Sequence, residues 1–392
     1  MKIFRADYVF PVNADPIKNG VITVDDYGKI IAIENGLTPP PDDGIAIETL
    51  SGIICPGFIN THCHVELSHL KDKIAPKKGL VNFIKNVQAF RNTDEAAVLA
   101  AAEQADAEMY KNGIVAVGDI SNTPITATLK QNSKLYYHTF IEVFGFLPDK
   151  ASEIFHTALA LCDDFKATSH SITPHAPYSV SKELFKHIYK LCEGKGPNLL
   201  SIHNQESEEE NKLYRYKTGD FLELYNFFKL DISSFKPQAR NSIQTIIPLL
   251  SNKQKILMVH NTYTNLKDIY FAKRFDRKIH WCFCPNANLY IENQLPKVDL
   301  FVGQGFNITL GTDSLASNSK LCLLSEMRTL QEKFDELSLE QLIQWGTING
   351  ARFLGIDDDK GTIEIGKTPG LNLLSNIDGF KITPETTVRR LI

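Results

Sequence analysis

Short apolar runs alternate with longer amphipathic stretches through the middle of the chain. Residues 82–91, 93–111 and 181–192 space their apolar positions as helices do, and 179–183 carry polar residues that favour a helix start. Strand-like runs separated by such helices are typical of βα units around a parallel sheet. Eight runs predict an α/β fold with a (β/α)8 barrel of the TIM type: 53–59, 114–118, 137–143, 170–173, 199–202, 256–259, 279–283 and 307–310.

The two ends of the chain have a different pattern. Near the start, β-rich runs at 6–12, 20–24 and 29–34 are separated by turn-forming residues, and runs at 361–366 and 370–375 resemble them. We therefore expect a small β-sandwich domain built from both termini. The predicted division is 1–55 for its first part, 56–358 for the barrel and 359–392 for its second part.

Composition excludes several classes of protein. The 392 residues are 43% hydrophobic and 22% charged, as in an ordinary globular protein. A net charge of −4 offers no basic field for nucleic acid, and no apolar run approaches the roughly 20 residues that span a bilayer. The charged first residues do not resemble a signal peptide, and the seven cysteines include no CxxC pair. We expect a cytoplasmic protein that binds neither nucleic acid nor membranes.

One connection is longer than a barrel ordinarily needs. Residues 206–247 separate the fifth and sixth predicted strands and contain the aromatic runs 213–216 and 221–228. These side chains either line a pocket for a flat ring or pack as the inner face of a helix, and the pattern fits both.

Polar side chains follow the apolar strands at the point where each strand ends. His62 and His64 follow the first strand, His203 the fifth, His260 the sixth and Asp313 the eighth. In a barrel these ends converge on one mouth, where active sites are built. A single histidine at a strand end is usually structural, but the repetition at four strands predicts one shared site.

The residue types indicate a metal centre. His62 and His64 are two residues apart, so on an extended chain their imidazoles point the same way. With His203 and Asp313 they offer three nitrogens and one oxygen, which suits one divalent ion, Zn²⁺ first and Fe²⁺ as the alternative. An open position on such an ion lowers the pKa of bound water to about 7, which supplies a nucleophile at neutral pH.

A hydrolytic reaction also needs a group that moves protons. Glu206, three residues beyond His203, is the candidate, although it begins an acidic run that would otherwise be a solvated helix face. His260 then orients the water and stabilises developing charge, or it is a fifth ligand.

Taken in order, these segments resemble the motifs of the amidohydrolase superfamily, in particular its mononuclear deaminase and chlorohydrolase branch. The likeness covers essentially the whole chain. It rests on PGFINTHCH (56–64), TPHAPY (173–178), HNQE (203–206), VHN (259–261), CPNAN (284–288), LGTDS (310–314) and the closing GTIEIGK (361–367).

The resemblance implies roles for these positions. It implies metal binding by His62, His64, His203 and Asp313, with Glu206, His260 and Asp313 as the catalytic group. Binuclear members carry a carboxylated lysine at the end of the fourth strand, whereas here Lys166 lies before that strand, so one metal ion is expected.

The resemblance also suggests substrate contacts. His175 in the fourth-strand motif is a candidate, and Glu66 stands where adenine-nucleoside deaminases, such as aminofutalosine and S-adenosylhomocysteine deaminases, have a comparable acidic residue. Glu66 and Ser68 face the ligand side if the extended geometry continues beyond His64. An aromatic plane and polar groups for a heterocycle are expected from Trp281, Asn288 and Ser317.

The sequence thus predicts a metal-dependent hydrolytic deaminase of a small amino-substituted heterocycle, with a purine-type base or nucleoside as the expected substrate. Dechlorination, or opening of a cyclic amide or imidazolone ring, are alternatives that keep the same site. A noncatalytic scaffold is the remote alternative, because such proteins usually lose ligands. The cytidine-deaminase architecture is excluded, since His64-Val-Glu66 is followed by no Pro-Cys-x-x-Cys. The resemblance also allows a homodimer.

Overall fold

The computed structural model describes residues 1–36, 46–195, 198–275 and 278–392. The chain begins with β-strands that surround an apolar core containing Phe4, Ile22 and Ile54. The first strand pairs antiparallel with the second and third and parallel with the fifth, and the third pairs with the fourth. These strands are β1 (Lys2–Val9), β2 (Ile17–Lys18), β3 (Val21–Val24), β4 (Ile30–Glu34) and β5 (Ile47–Pro56).

Eight further strands form the barrel. They run parallel in two four-stranded sheets, the first four strands in one and the last four in the other. The strands are β6 (Phe58–Cys63), β7 (Ile114–Ser121), β8 (Tyr136–Val143), β9 (Ser169–Pro174), β10 (Leu199–Asn204), β11 (Lys255–His260), β12 (Lys278–Phe283) and β13 (Ile308–Leu310).

Hydrogen bonds close the two seams between these sheets. On one side the amides of Thr312 and Asp313 both donate to the carbonyl of His62, at 3.0 and 3.1 Å. On the other side the amide of Ser201 donates to Thr173 Oγ1 at 2.7 Å, and the amide of His203 donates to the carbonyl of His175 at 2.9 Å. The predicted (β/α)8 barrel is confirmed.

The helices lie between the strands and after them. Two begin with a reciprocal capping box, Asn265 with Asp268 and Ser338 with Gln341. No helix in the described ranges is both long and apolar enough to cross a membrane. The helices are α1 (Leu80–Phe90), α2 (Glu95–Lys111), α3 (Ala127–Asn132), α4 (Ala151–Leu161), α5 (Lys182–Lys195), α6 (Glu208–Tyr216), α7 (Phe221–Phe227), α8 (Ser242–Ile246), α9 (Leu266–Lys273), α10 (Pro285–Ile291), α11 (Val298–Val302), α12 (Leu323–Lys333), α13 (Leu339–Gly346) and α14 (Ile348–Leu354).

The chain then returns to the N-terminal sheet. Strand β14 (Leu371–Ser375) pairs antiparallel with β5, and β15 (Thr387–Arg390) pairs with β14. The predicted β domain contributed by both termini is confirmed as one connected sheet, with seven strands among the described residues. The boundaries at 55/56 and 358/359 stay predictions.

Two of the predicted strands were wrong in detail. The run 53–59 is shared by two sheets, because β5 ends at Pro56 and β6 begins at Phe58. Gly57 lies between them, where an added Cβ would meet the carbonyl oxygen of Pro369 at 2.8 Å. The run 361–366 is not a strand, because Gly361 and Gly366 have φ angles of 89° and 94° and turn the chain there.

Candidate metal centre and active site

The carboxyl ends of the barrel strands gather the predicted polar side chains at one point. His62 and His203 lie near the ends of β6 and β10, His64 follows β6, His260 ends β11, and Asp313 follows β13. All five are buried, with at most 8% of any of them exposed. Polar groups buried at such density must satisfy one another or a bound ion.

The spacing of the ligand atoms fits a four-coordinate metal ion. His64 Nε2 lies 3.2 Å from His62 Nε2 and 3.3 Å from His203 Nε2. Asp313 Oδ1 lies 3.7 Å from His62 Nε2 and 3.5 Å from His64 Nε2. Metal–nitrogen bonds of about 2.0–2.1 Å in a tetrahedron place neighbouring ligand atoms about 3.3–3.4 Å apart. The donor set therefore has the size and the chemistry of a zinc-type site.

The surrounding groups hold these ligands in the form a metal requires. His203 donates from Nδ1 to the carbonyl of His175 at 2.8 Å, which leaves Nε2 with its lone pair. Burial, followed by the charges of neighbouring imidazoles, lowers the pKa of His64 and of His203 well below the ordinary value. Both rings are thus neutral and able to ligate.

Asp313 is ionised and oriented. Burial alone would raise its pKa, but the neighbouring imidazoles, first His62 and then His64 and His260, hold it below the ordinary value. Ser317 Oγ donates to Asp313 Oδ2 at 2.6 Å, while Oδ1 faces the imidazoles. A carboxylate fixed at one oxygen presents the other to the metal position.

Glu206 and His260 face each other beside this centre. Glu206 Oε2 lies 3.7 Å from His260 Nε2, and His260 donates from Nδ1 to Asn288 Oδ1 at 2.8 Å. Burial, with the nearby charge of Asp313, raises the pKa of Glu206 well above its ordinary value, and burial lowers the pKa of His260 to about 4. A cation bound nearby would lower the pKa of the Glu206 carboxyl. The pair combines an acid–base group with a neutral imidazole whose Nε2 is free to accept a proton.

A cavity of about 500 Å³ opens over these groups. His64, His203, Glu206, His260 and Asp313 lie at its polar end. Its remaining wall is largely apolar and includes Leu80, Phe83, Ile84 and Val87 of α1, Phe144 and Phe146 after β8, Tyr178, Leu224 and Tyr225 of α7, Phe228 and Leu230. The site thus has one polar and one apolar part.

In the long connection between β10 and β11, some aromatic and apolar side chains line the cavity and others pack in the core, as its pattern allowed. Leu224, Tyr225 and Phe228 line the cavity. Tyr214 and Phe221 are buried instead, at 5% and 0% exposure, in the cluster that supports this wall.

The prediction that Glu66 and Ser68 face the ligand side was wrong. After His64 the chain does not stay extended but forms a 3-10 helix, Val65–Leu70. Ser68 is buried away from the cavity, and the Glu66 carboxylate accepts hydrogen bonds from the amide of Asn122 and the hydroxyl of Thr123, each at 3.2 Å. Glu66 therefore supports the wall behind Asn122.

Among the described residues, the lining of the cavity does not include Trp281, Asn288 or Ser317. Trp281 points outward from β12 and packs on Phe301 at a ring distance of 5.1 Å. Asn288 holds His260, and Ser317 holds Asp313. Two of the three thus act on site residues and one belongs to the core outside the barrel, and contact of these three with substrate stays a prediction.

His175 does line the cavity. Its Nδ1 lies 2.7 Å from Ser179 Oγ, and burial, followed by the charge of Arg91, lowers its pKa to about 4. Its role in binding substrate stays a prediction.

Sequence reasoning missed Glu142, Asn122 and Arg91, which also line the cavity. Glu142, the last residue but one of β8, accepts a hydrogen bond at Oε2 from Asn122 Nδ2 at 3.1 Å, while its buried Oε1 has no hydrogen-bond partner among the described residues. Burial raises the pKa of Glu142 to about 7. The sequence signal that could have found Glu142 is that it is the one carboxylate of β8 and lies near the carboxyl end of that strand.

Glu142, His175 and His203 also lie close enough together for a second metal site. His203 Nδ1 already donates to the carbonyl of His175, so it has no lone pair to offer there. The geometry favours one metal ion.

A sequence model of the amidohydrolase family matches residues 53–390. The chain belongs to the amidohydrolase family. It is accordingly a hydrolase, and the resemblance read from the motifs is confirmed.

Curated relatives align over most of the chain. Adenosine deaminase of Helicobacter pylori is 28% identical over 354 residues, covering 87% of this chain and 83% of the relative. The 5′-deoxyadenosine deaminase of Methanosphaera stadtmanae is 26% identical over 381 residues, covering 92% and 82%. The crystal structure of Helicobacter pylori aminofutalosine deaminase in complex with methylthio-coformycin has a TM-score of 0.84, with 22% identity and full coverage of both chains. That structure shares the fold of this amidohydrolase.

Proposed function

We propose that this amidohydrolase is a metal-dependent hydrolytic deaminase of a purine-type nucleoside. The observation that carries the proposal is the convergence of three imidazole Nε2 atoms and one carboxylate oxygen on one point, with Glu206 and His260 beside it. Relatives that align over more than four fifths of the chain are named as adenosine and 5′-deoxyadenosine deaminases, which supports the same reaction.

His62, His64, His203 and Asp313 would hold one divalent ion, Zn²⁺ before Fe²⁺ because zinc accepts this donor set in tetrahedral geometry. When bound, the ion supplies a water of lowered pKa as the nucleophile. Ser317 and the carbonyl of His175 keep Asp313 and His203 oriented for that task.

Glu206 carries the protons. Its carboxylate accepts the proton given up by the attacking water and passes it to the ring nitrogen, and then to the amine that leaves as ammonia. His260, kept neutral with its Nδ1–H on Asn288, directs the lone pair of Nε2 toward the same position, where it accepts a hydrogen bond from the attacking water and orients it.

The cavity suggests how a nucleoside would lie. The purine ring occupies the polar end, near Glu206 and His260, with His175 against it. Glu142 Oε1 is an unused acceptor in the same wall and suits a sugar hydroxyl. The apolar wall formed by Phe83, Phe146 and Phe228 favours a nucleoside whose 5′ position carries an apolar group over one with a free hydroxyl.

The test is ammonia release by protein carrying one metal per chain, with adenosine, 5′-deoxyadenosine, 5′-methylthioadenosine, guanine and cytosine as substrates. Release from the adenine nucleosides, and none from the metal-free protein, is expected. Chloride release from a chlorinated heterocycle without ammonia from any nucleoside would replace deamination by dechlorination. Water uptake by a cyclic amide without ammonia would replace it by ring opening.

A further inference from the structure

Every polar group of Gln205, the residue before Glu206, makes a hydrogen bond. Its amide donates to Glu210 Oε1 at 3.2 Å and its carbonyl accepts from the amide of Tyr263 at 2.9 Å. Its side-chain Nε2 donates to Asn211 Oδ1 at 2.9 Å and to Asp268 Oδ2 at 3.0 Å, and its Oε1 accepts from Thr264 Oγ1 at 2.8 Å. Gln205 is fully buried at 0% exposure.

The backbone of Gln205 needs this support. Its φ angle is 45°, in the left-handed region that a residue with a side chain adopts only when its surroundings determine it. The direction in which the chain leaves Gln205 sets where the next side chain, Glu206, points. The hydrogen bonds of Gln205 are therefore also constraints on the Glu206 carboxylate.

Asp268 is the hub of this group. Besides Gln205, it accepts hydrogen bonds from Asn241 Nδ2 at 2.6 Å, Gln244 Nε2 at 2.7 Å and the amide of Asn265 at 3.2 Å. It is fully buried at 0% exposure. As the third residue of a capping box, Asp268 needs only the bond from Asn265 to begin α9. Three side-chain amides on it exceed what a helix cap requires.

A neighbouring pair extends the connection to His260. Asn204 Nδ2 donates to Asn261 Oδ1 at 3.0 Å, and the amide of Asn261 donates to the carbonyl of Asn204 at 3.0 Å. His260 and Asn261 also have left-handed φ angles, of 71° and 58°. Thr264 touches both groups, since it accepts from Asn204 Nδ2 at 3.5 Å and donates to Gln205. The chain before Glu206 and the chain after His260 are thus joined by buried hydrogen bonds.

We propose that Asp268 is a positioning residue, which through Gln205 fixes the Glu206 carboxylate relative to His260. The kinetic part of the inference rests on the proposed role of Glu206 in proton transfer, whereas the structural part does not. Asp268→Asn replaces one carboxylate oxygen, which accepts hydrogen bonds, by an amide NH2 group, which donates them. Because the groups around Asp268 are N–H donors, the substitution turns an attraction into a repulsion.

The kinetic experiment compares Asp268→Asn and Asp268→Ala with Gln341→Ala, which removes the equivalent third residue of the capping box at α13. All variants are expected to lose some thermal stability and to keep one metal per chain. Only the Asp268 variants should lower kcat, by about 10- to 100-fold with KM within about threefold, because misplacement of a proton-transfer group by about 1 Å acts on the transition state. An equal kcat for Asp268→Asn and Gln341→Ala would overturn the proposal.

Crystal structures of the wild type and Asp268→Asn provide the second arm. The distance between Glu206 Oε2 and His260 Nε2, 3.7 Å here, is expected to change by about 1 Å or more in the variant. An unmoved carboxylate would reject the positioning role even if the wild type deaminated no nucleoside, so the two proposals fail separately. Thr264→Val, which removes one hydrogen bond from Gln205 and the long one from Asn204, replaces Asp268→Asn if that variant does not fold, with a smaller change of the same kind expected.

Discussion

Ser317 Oγ lies 2.6 Å from Asp313 Oδ2, whereas the other carboxylate oxygen, Oδ1, faces the imidazoles of His62 and His64. Removing this donor leaves Asp313 free to rotate and leaves a buried carboxylate oxygen without its partner. We expect Ser317→Ala to weaken metal binding by about 10- to 100-fold with the fold intact, as for other groups that orient ligands. Titration with a competing chelator measures it.

Ser251→Ala is the matched control for that variant. Ser251 also donates to a carboxylate at 2.6 Å, that of Glu193, but it lies before β11 and thus at the opposite end of the barrel. The Ser251→Ala variant should bind the metal with the affinity of the wild type. Equal affinities for both serine variants would show that Ser317 does not orient the ligand.

Glu206→Gln tests proton transfer. The amide keeps the shape of the side chain but cannot accept and return a proton, so we expect kcat to fall by about 10²–10⁴ while the metal stays bound. Glu208→Gln, two residues further along the same acidic run and outside the cavity wall, should keep wild-type kcat. Undiminished turnover by Glu206→Gln would remove this residue from the mechanism.

Gly311→Ala tests how closely the metal centre is packed. An added Cβ would lie 2.8 Å from His62 Cβ and 2.9 Å from Cys284 Sγ, so His62 must move. We expect lower metal content and a loss of about 1–3 kcal/mol in the free energy of unfolding, as for other overpacked cores. Gly194→Ala on α5, where a Cβ meets nothing within 4 Å, should leave both quantities unchanged or raise the stability slightly.

Lys130 and Asp119 form a fully buried ion pair behind the first strands, with Nζ and Oδ2 2.6 Å apart. Asp119 Oδ1 also accepts the amide of Val65 at 2.8 Å, directly after His64. Lys130→Met leaves the carboxylate unpaired, and we expect it to lower the free energy of unfolding by about 3–5 kcal/mol. Urea denaturation measures this free energy. As a control, Lys166→Met at an exposed position should be within about 0.5 kcal/mol of the wild type.

The barrel and the metal centre could be predicted because they follow from strand periodicity and strand ends. Each barrel strand is a short apolar run, and histidines lie at or just beyond the ends of β6, β10 and β11, so the convergence of parallel strand ends brought them together. The spacing of His62 and His64 indicated a shared direction in the same way. These are local patterns that the fold turns into proximity.

What could not be predicted depended on contacts between distant residues. Trp281 lies in a strand buried on both faces, where apolar alternation does not tell which side faces the barrel axis. Whether Asn288 meets substrate or His260 is decided by the docking of α10 on β11. Glu142 carries no motif, and the register of β8 against β9 places it beside His175.

Asp359 should make stability depend on acid pH. It accepts hydrogen bonds from Thr368 and Lys360, near the point where the chain returns to β14. Although partial burial acts the other way, these bonds lower the pKa of Asp359 from 3.8 to about 2. A carboxyl whose pKa is lower in the folded state stabilises it above the unfolded pKa, and that contribution disappears as the pH falls from about 4 to about 2. We expect the urea midpoint of the wild type to exceed that of Asp359→Asn at pH 5 and the difference to shrink toward zero near pH 2. A difference that stayed constant over this range would mean that Asp359 acts by packing and not by its charge.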